Sequence, residues 1–327
     1  MLRLLTTVAL WALCQAGMAG ISFKFSPGST SGVSASLKTT MENNIAALLT
    51  EIDNAGRANR ALNFTGISIE SGATDRLTYL WKSVHMTCKF TNNVKDCLHD
   101  MQGYQARDIY VAMLPQDDTY NQGTTRALTI SLNRSGQITG VRLALESQAD
   151  VSTIMAGGNG EVADKRRREE ILKWVEDFRC YYNEKNLEAI RQVFSEDALI
   201  ITGSVVTLKK NEVKMTPDAQ VRYKVQDKKE YMSNLKQCFN NNAVINLKFE
   251  HISVVMSGSN PDIYGVKLKQ TWRSSTYSDV GWLFLLWDFH DEDHPQIHVR
   301  TWQPYNLGNG QVTTEEDVFA LGDFIIN

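Results

Sequence analysis

Three histidines recur at every fourth position late in the chain: His290, His294 and His298, set among Asp288, Asp291, Glu292 and Asp293. On a helix that spacing would stack the imidazoles on one face, where a metal could be held. Pro295 and the alternating flanks instead put them on a turn between two strands, where side chains four apart do not converge. The stretch reads as a solvated acidic turn and no metal site is assigned. Acid–base chemistry has other candidates. A carboxylate in an apolar cavity has a raised pKa and can act as a general acid or base. Asp288, late in a strand, and Asp197, in the Ser-Glu-Asp-Ala turn at 195–198, are the carboxylates so placed. Tyr182, at the end of a helix, is their phenolic partner. Each also has an ordinary reading: Asp197 as a turn or capping residue, Asp288 with Arg300 as a pair across a hairpin, Tyr182 as a core residue with a satisfied hydroxyl. The aromatics Trp272, Trp282, Trp287 and Trp302 can line a ligand pocket or simply fill a core. No Gly-rich phosphate loop and no Gly-x-Ser-x-Gly elbow is present.

These residues need elements to hold them. Ile171, Val175, Phe178 and Tyr182 recur at i, i+4, i+7 and i+11, which predicts a helix over Glu169–Tyr182. A second helix is expected over Leu187–Phe194, a strand over Ala198–Val206, a polar loop over Asn211–Asp227 and a third helix over Lys228–Asn240, with Tyr231, Leu235 and Phe239 on one face. Four strands follow, over Val244–Met256, Ile263–Arg273, Trp282–Phe289 and Gln296–Gln303. The apolar alternation of the first changes parity between Phe249 and Ile252, as a β-bulge would produce. Short turns between successive strands favour an antiparallel meander. The run Lys165–Glu170 (KRRREE) opens the first of these helices and reads as a solvated face, because glutamates follow its basic residues at once.

The first half has a similar cast. A helix is expected over Val33–Asp53, capped by Ser34 or Ser36, with short helices over Arg57–Leu62 and Val94–Met101. Asn63–Glu70 is weakly strand-like, and Thr74–Val84 is ambiguous. Strands are expected over Arg107–Leu114, Arg126–Leu132 and Gln137–Leu145, the last two joined by a tight turn at Asn133–Gly136. Residues 151–164, rich in Gly and poor in large apolar residues, read as a linker.

The chain has 327 residues, 43% hydrophobic and 22% charged, with a net charge of −3. That suits two globular domains and gives no nucleic-acid signature. Residues 1–19 have the form of a signal peptide: Arg3, an apolar run from Leu4 to Leu13, and small residues near Ala19. Leu13 before Cys14 argues against lipidation. The expectation is an exported protein, periplasmic or secreted, with no transmembrane segment. An oxidising compartment permits Cys88–Cys97 and Cys180–Cys238 disulfides, four buried thiols being the alternative.

The segments at 178–203 (FRCYYNEKNLEAIRQVFSEDALIITG), 264–272 (YGVKLKQTW), 276–289 (TYSDVGWLFLLWDF) and 297–304 (IHVRTWQP) resemble the nuclear transport factor 2-like superfamily, the SnoaL and ketosteroid-isomerase-like fold. The nearest likeness is to its exported members in Bacteroidales-type bacteria. The resemblance covers about 165–305. It implies an α+β cone, a curved antiparallel sheet covered by helices with a pocket between them. Some members use that pocket for isomerase or dehydratase chemistry and others as a binding or dimerisation module. Residues 126–145 echo 282–302, each with a strand, a polar turn and a strand, so residues 20–150 read as a diverged copy of the domain or as another α+β domain. Residues 306–327 end in an apolar tail expected to dock on the body. The reading is an exported non-catalytic binding or assembly protein taking a small molecule or a protein partner, with a homodimer open, no nucleic acid and no cofactor. Trp272, Arg300, Trp302 and Tyr182 are its ligand-binding candidates. The alternative is a pocket enzyme moving protons on a small apolar metabolite through Asp288, Asp197 and Tyr182.

Overall fold

The computed structural model describes residues 20–99, 103–118, 120–145, 165–206, 220–308 and 310–324. The expected signal peptide and the linker at 151–164 lie outside them. Among the described residues no helix is long and apolar enough to cross a membrane.

The first half opens with strand β1 (Ser22–Phe25), then helix α1 (Ala35–Arg57), helix α2 (Ser71–Ser83) and strands β2 (Val84–Cys88), β3 (Asn92–Lys95), β4 (Leu98–His99), β5 (Gly103–Pro115), β6 (Thr125–Asn133) and β7 (Ile138–Leu143). Ser34 caps α1, its hydroxyl accepting from the Leu37 N–H. Met41, Ile45, Leu48, Leu49 and Ile52 form the helix's buried stripe against Leu128, Ile130 and Leu132 of the sheet. The sheet runs β2-β5-β6-β7, with β4 also on β5.

The second half comprises α3 (Lys165–Asn183), α4 (Leu187–Val193), β8 (Phe194–Val206), β9 (Gln220–Gln226), α5 (Lys228–Asn241), β10 (Ile245–Met256), β11 (Ile263–Ser274), β12 (Ser278–Asp288) and β13 (Gln296–Pro304). Asn186 and Asp227 cap α4 and α5 with their side-chain oxygens. The six-stranded sheet has the order β10-β11-β12-β13-β8-β9. Its meander is antiparallel, but β13 pairs with β8 in parallel, which extends the sheet beyond the expected four strands. The parity change in β10 is a register shift between Glu250 and Ser253, with His251 at φ 50°. Helices α3, α4 and α5 cover the concave face, where Ile171, Phe178, Leu235, Leu285 and Trp287 share one core.

The two halves repeat one topology. In each, a long helix is followed by a helix that precedes an edge strand, β2 or β10, and three further antiparallel strands of the main ladder come next in order. The parallel pairing of β8 with β13 has a vestige in the first half, a single parallel bridge between Ile69 and Ile138. This is a tandem of two α+β units, each a curved antiparallel sheet with helices on its inner face.

Several expectations change. Residues 58–62 are not helical; α1 ends at Arg57 and the chain turns at Asn59, φ 48°. The helix expected over Val94–Met101 is absent from its described part, 94–99, because β3 pairs with β1 and β4 with β5; long-range pairing overrides so short a periodicity. Gln220–Gln226, expected in a loop, is an edge strand on β8. Within the Lys165–Glu170 run, expected to be solvated, Arg166 is exposed but Arg168, Glu169 and Glu170 are buried. All four cysteines of the described chain are free. Cys88 donates to the Leu49 carbonyl, and burial pushes its thiol up to about 12 and that of Cys97 up to about 11. Cys180 borders the crevice between the halves while Cys238 borders the cone's cavity, so those two face different spaces.

Candidate functional site

The concave face of the second sheet and α5 border an open pocket of about 370 Å³, within the ~300–1,000 Å³ range of small-molecule sites. Strand register decides which side chains reach it. Arg300 of β13 sits between Leu285 of β12 and Ile200 of β8, and Trp302 between Leu283 and Thr202. Partners across a ladder share a face, and Leu283, Leu285 and Ile200 belong to the inner core. Arg300 and Trp302 therefore point inward. On β11, Gln270 pairs with Gly281 and Trp272 with Asp279, and all but Gly281 line the same cavity. Gly281 matters through what it lacks: a Cβ there would lie 2.5 Å from the Trp302 ring, so only glycine lets that indole lie over β12.

Helix α5 supplies Tyr231 and Cys238 to the wall. Below them Tyr182, at the end of α3 and buried, shares a 2.6 Å hydroxyl–hydroxyl hydrogen bond with Tyr231. The rim is pinned by Asn242, whose Oδ1 accepts from the Thr276 N–H and hydroxyl. Asp279 accepts from the Tyr277 hydroxyl and, at 2.7 Å, from the Val280 N–H.

Arg300 is the unusual member. It is 7% exposed, its guanidinium lies 5.2 Å from the Tyr231 ring centroid, and neither its Nε nor its Nη1 has a hydrogen-bond partner. Taking a guanidinium out of water without a counter-charge costs several kcal/mol. A desolvated cation–π contact returns about 2 kcal/mol or somewhat more, and it offsets that cost without supplying a counter-charge. Tyr182 supplies no negative charge either: burial and the neighbouring Tyr231 hold its hydroxyl well above the ordinary phenol range, against the opposing pull of Arg300. The floor of the cavity thus has excess positive charge.

The sequence candidates separate into two groups. Trp272, Arg300 and Trp302 line one cavity, with Tyr182 directly beneath. Asp197 and Asp288 do not reach it. Asp197 is exposed, and the Ser195 hydroxyl holds its carboxyl below the usual carboxylate range. Asp288 pairs with Gln296 and lies three residues along β12 from Leu285, the partner of Arg300; its parity is that of the outward Phe284 and Leu286. His298 lies between the two acids, 3.6 Å from Asp197 and 3.5 Å from Asp288, while His290 and His294 are exposed. Among the described residues no His, Cys, Asp or Glu cluster could hold a metal. Tyr231, Gln270, Asn242 and Asp279 were not singled out from the sequence. The signal for Gln270 was its parity with Trp272, and for Tyr231 its place on the apolar stripe of α5.

A second crevice, between the halves, is lined by Arg76, Arg142, Arg179 and Glu184 but holds only about 40 Å³. Its ion pairs are satisfied internally: Arg142 with Asp177 at 2.6 Å and Arg76 with Glu184 at 3.0 Å.

No family model matches the chain, and no curated protein matches it. Solved structures similar to it in part include naphthalene 1,2-dioxygenase with indole bound in its active site, with a TM-score of 0.36 and 9% identity over 50% of this chain and 90% of that one. Bd1075 of Bdellovibrio bacteriovorus has a TM-score of 0.33 and 14% identity over 69% of this chain and 77% of its own. A nuclear transport factor 2-like protein of unknown function from Shewanella oneidensis has a TM-score of 0.30 and 14% identity over 42% and 98%. The last of these is described as nuclear transport factor 2-like, and all three are at low identity. The fold itself rests on the topology above.

Proposed function

We propose that the second half of this chain is a binding module whose cone-shaped cavity takes a small, ring-bearing molecule without transforming it. The observation that carries this reading is the wall: Trp272 and Trp302 face one space over a floor of Tyr231 and Arg300. Flat apolar faces with a few fixed polar groups are how small-molecule sites hold and orient a ligand. A proton-transfer enzyme in the same cone needs a base within reach of its substrate. Asp197 and Asp288 lie away from the cavity, and the carboxylate on its wall, Asp279, is engaged by Tyr277 and Val280. That favours binding over catalysis.

The test is to follow the indole N–H resonances while titrating ring compounds, 1-naphthamide first. Binding in the cone shifts Trp272 and Trp302. It leaves Trp81 and Trp282 in place, since their N–H groups donate to the Arg60 and Thr313 carbonyls away from the cavity. Equal shifts at all four, or none, would overturn the reading. The same proposal places the module outside the cytoplasm, on the form of residues 1–19; the mass of the mature chain, beginning near Gly20, tests that part.

A further inference from the structure

The cavity is not neutral, and its charge selects what enters. Arg300 is the cationic side chain on its lining, more than nine-tenths buried, with Nε and Nη1 unpartnered. Among the described residues it has no carboxylate within ion-pair distance. The other polar groups of the floor, the Tyr182 and Tyr231 hydroxyls, bond each other, and Tyr182 also meets Arg300, but neither brings a negative charge. A neutral ring would fill the space between Trp272 and Trp302 and leave the guanidinium uncompensated. Resting on the reading of the cone as a ligand site, we infer that its ligand is a compact organic anion, with a carboxylate or similar planar oxyanion directed at Arg300 and a flat apolar body between Trp272 and Trp302.

The geometry gives each part a partner. Guanidinium N–H groups match the two oxygens of a carboxylate in spacing and plane, and such charge-assisted bonds are stronger than neutral ones. Tyr231, already stacked on Arg300, holds the guanidinium plane in place and has its own hydroxyl on the Tyr182 side. Asp279 sits at the other end of the wall, tied to Tyr277 beside the rim, so negative charge lies at the mouth and positive charge at the floor. That polarity orients an anion with its charged end inward and its ring toward the opening. It disfavours a cation at the floor and a dianion bearing charge at both ends.

Calorimetric titration of the full chain with 1-naphthoate and with 1-naphthamide, which share a ring system and differ in charge, tests this. The expected result is naphthoate bound about tenfold or more tighter than naphthamide. Arg300→Gln is expected to bring the two ligands to within about threefold of each other while naphthamide affinity holds, which also shows that the variant is folded. Should that variant fail to fold, Arg300→Lys replaces it, and its preference for naphthoate is expected to shrink by several-fold because a point charge replaces the planar fork. Equal affinity of the wild-type chain for both ligands overturns the anion inference and leaves the cavity reading standing. Tighter naphthoate binding that survives Arg300→Gln, or is unchanged in Arg300→Lys, removes Arg300 as the receptor. If neither compound binds, the cavity reading falls with it.

Discussion

Glu184 sits just after α3 in the crevice between the halves, paired with Arg76 at 3.0 Å. Burial pushes its carboxyl from 4.5 up to about 7, against the opposing pull of Arg76. From pH 4.5 to 7 the folded chain therefore holds a proton that the unfolded chain releases. Stability falls as pH rises through that window and the loss is complete above it. Glu184→Gln carries no such proton. Its stability relative to wild type should rise between pH 4.5 and pH 8 by at most about 3 kcal/mol, measured by urea unfolding at each pH. A gap between variant and wild type that does not change with pH would mean that the carboxyl titrates normally. A sequence shows a glutamate after a helix; it does not show that a second domain closes over it.

At the scale of elements, α3 has two buried faces of opposite character. Ile171, Val175, Phe178 and Tyr182 enter the cone's core. On the other face Glu176 and Asp177 meet Arg107 and Arg142 on the outer surface of the first sheet, at 2.8 and 2.6 Å. Glu176 Oε1 also accepts from the Leu145 N–H, and Arg179 donates to the Leu143 carbonyl. Arg107→Ala leaves Glu176 buried and uncompensated, and is expected to cost about 3–5 kcal/mol of stability. Replacing both partners, Arg107→Met with Glu176→Leu, should cost clearly less, because no charge is then stranded. Urea unfolding of the two variants decides it; a double variant as unstable as the single one would show that the pair is not the origin of the loss. The apolar stripe was legible from periodicity. The polar face was not, because charged residues paired with a distant part of the chain have the same spacing as charged residues in water; the start of the helix, at Lys165–Glu170, reads as solvated for that reason.

At the scale of the whole molecule, each sheet has an outer face and each is covered differently. The first is polar and docks on α3. The second is apolar, with Trp282, Phe284, Leu286 and Val299, and is covered by Val318, Phe319, Leu321 and Phe324 of the C-terminal segment. That segment is fastened by polar bonds as well: the Trp282 indole donates to the Thr313 carbonyl, and Gln303 accepts from the Phe319 N–H. Leu321 packs over Gly265, where an added Cβ would lie 2.7 Å from its Cγ. Deleting 313–327 uncovers an apolar face of the kind that seeks a partner. The truncated chain is expected to show a larger mass than the full chain by light scattering at equal concentration. Equal masses would mean that the segment does not guard the face against self-association.

The sequence by itself determined the elements whose signals are local. The stripes of α1, α3 and α5, the four-strand meander and the bulge in β10 announced by its change of parity depend on residues near one another in the chain. It also marked Trp272, Arg300, Trp302 and Tyr182 as worth watching. Tertiary structure decided whatever depends on register or on a distant cover. The registers of β13 with β12 and β8 turn Arg300 inward, and the extra residue on β13, His298, sits beside Asp288. One residue of slip would have reversed both, since side chains on a strand alternate between faces. The buried stretch Arg168–Glu170 likewise takes its character from the tertiary fold, and alternation alone carries no record of which face a partner will cover.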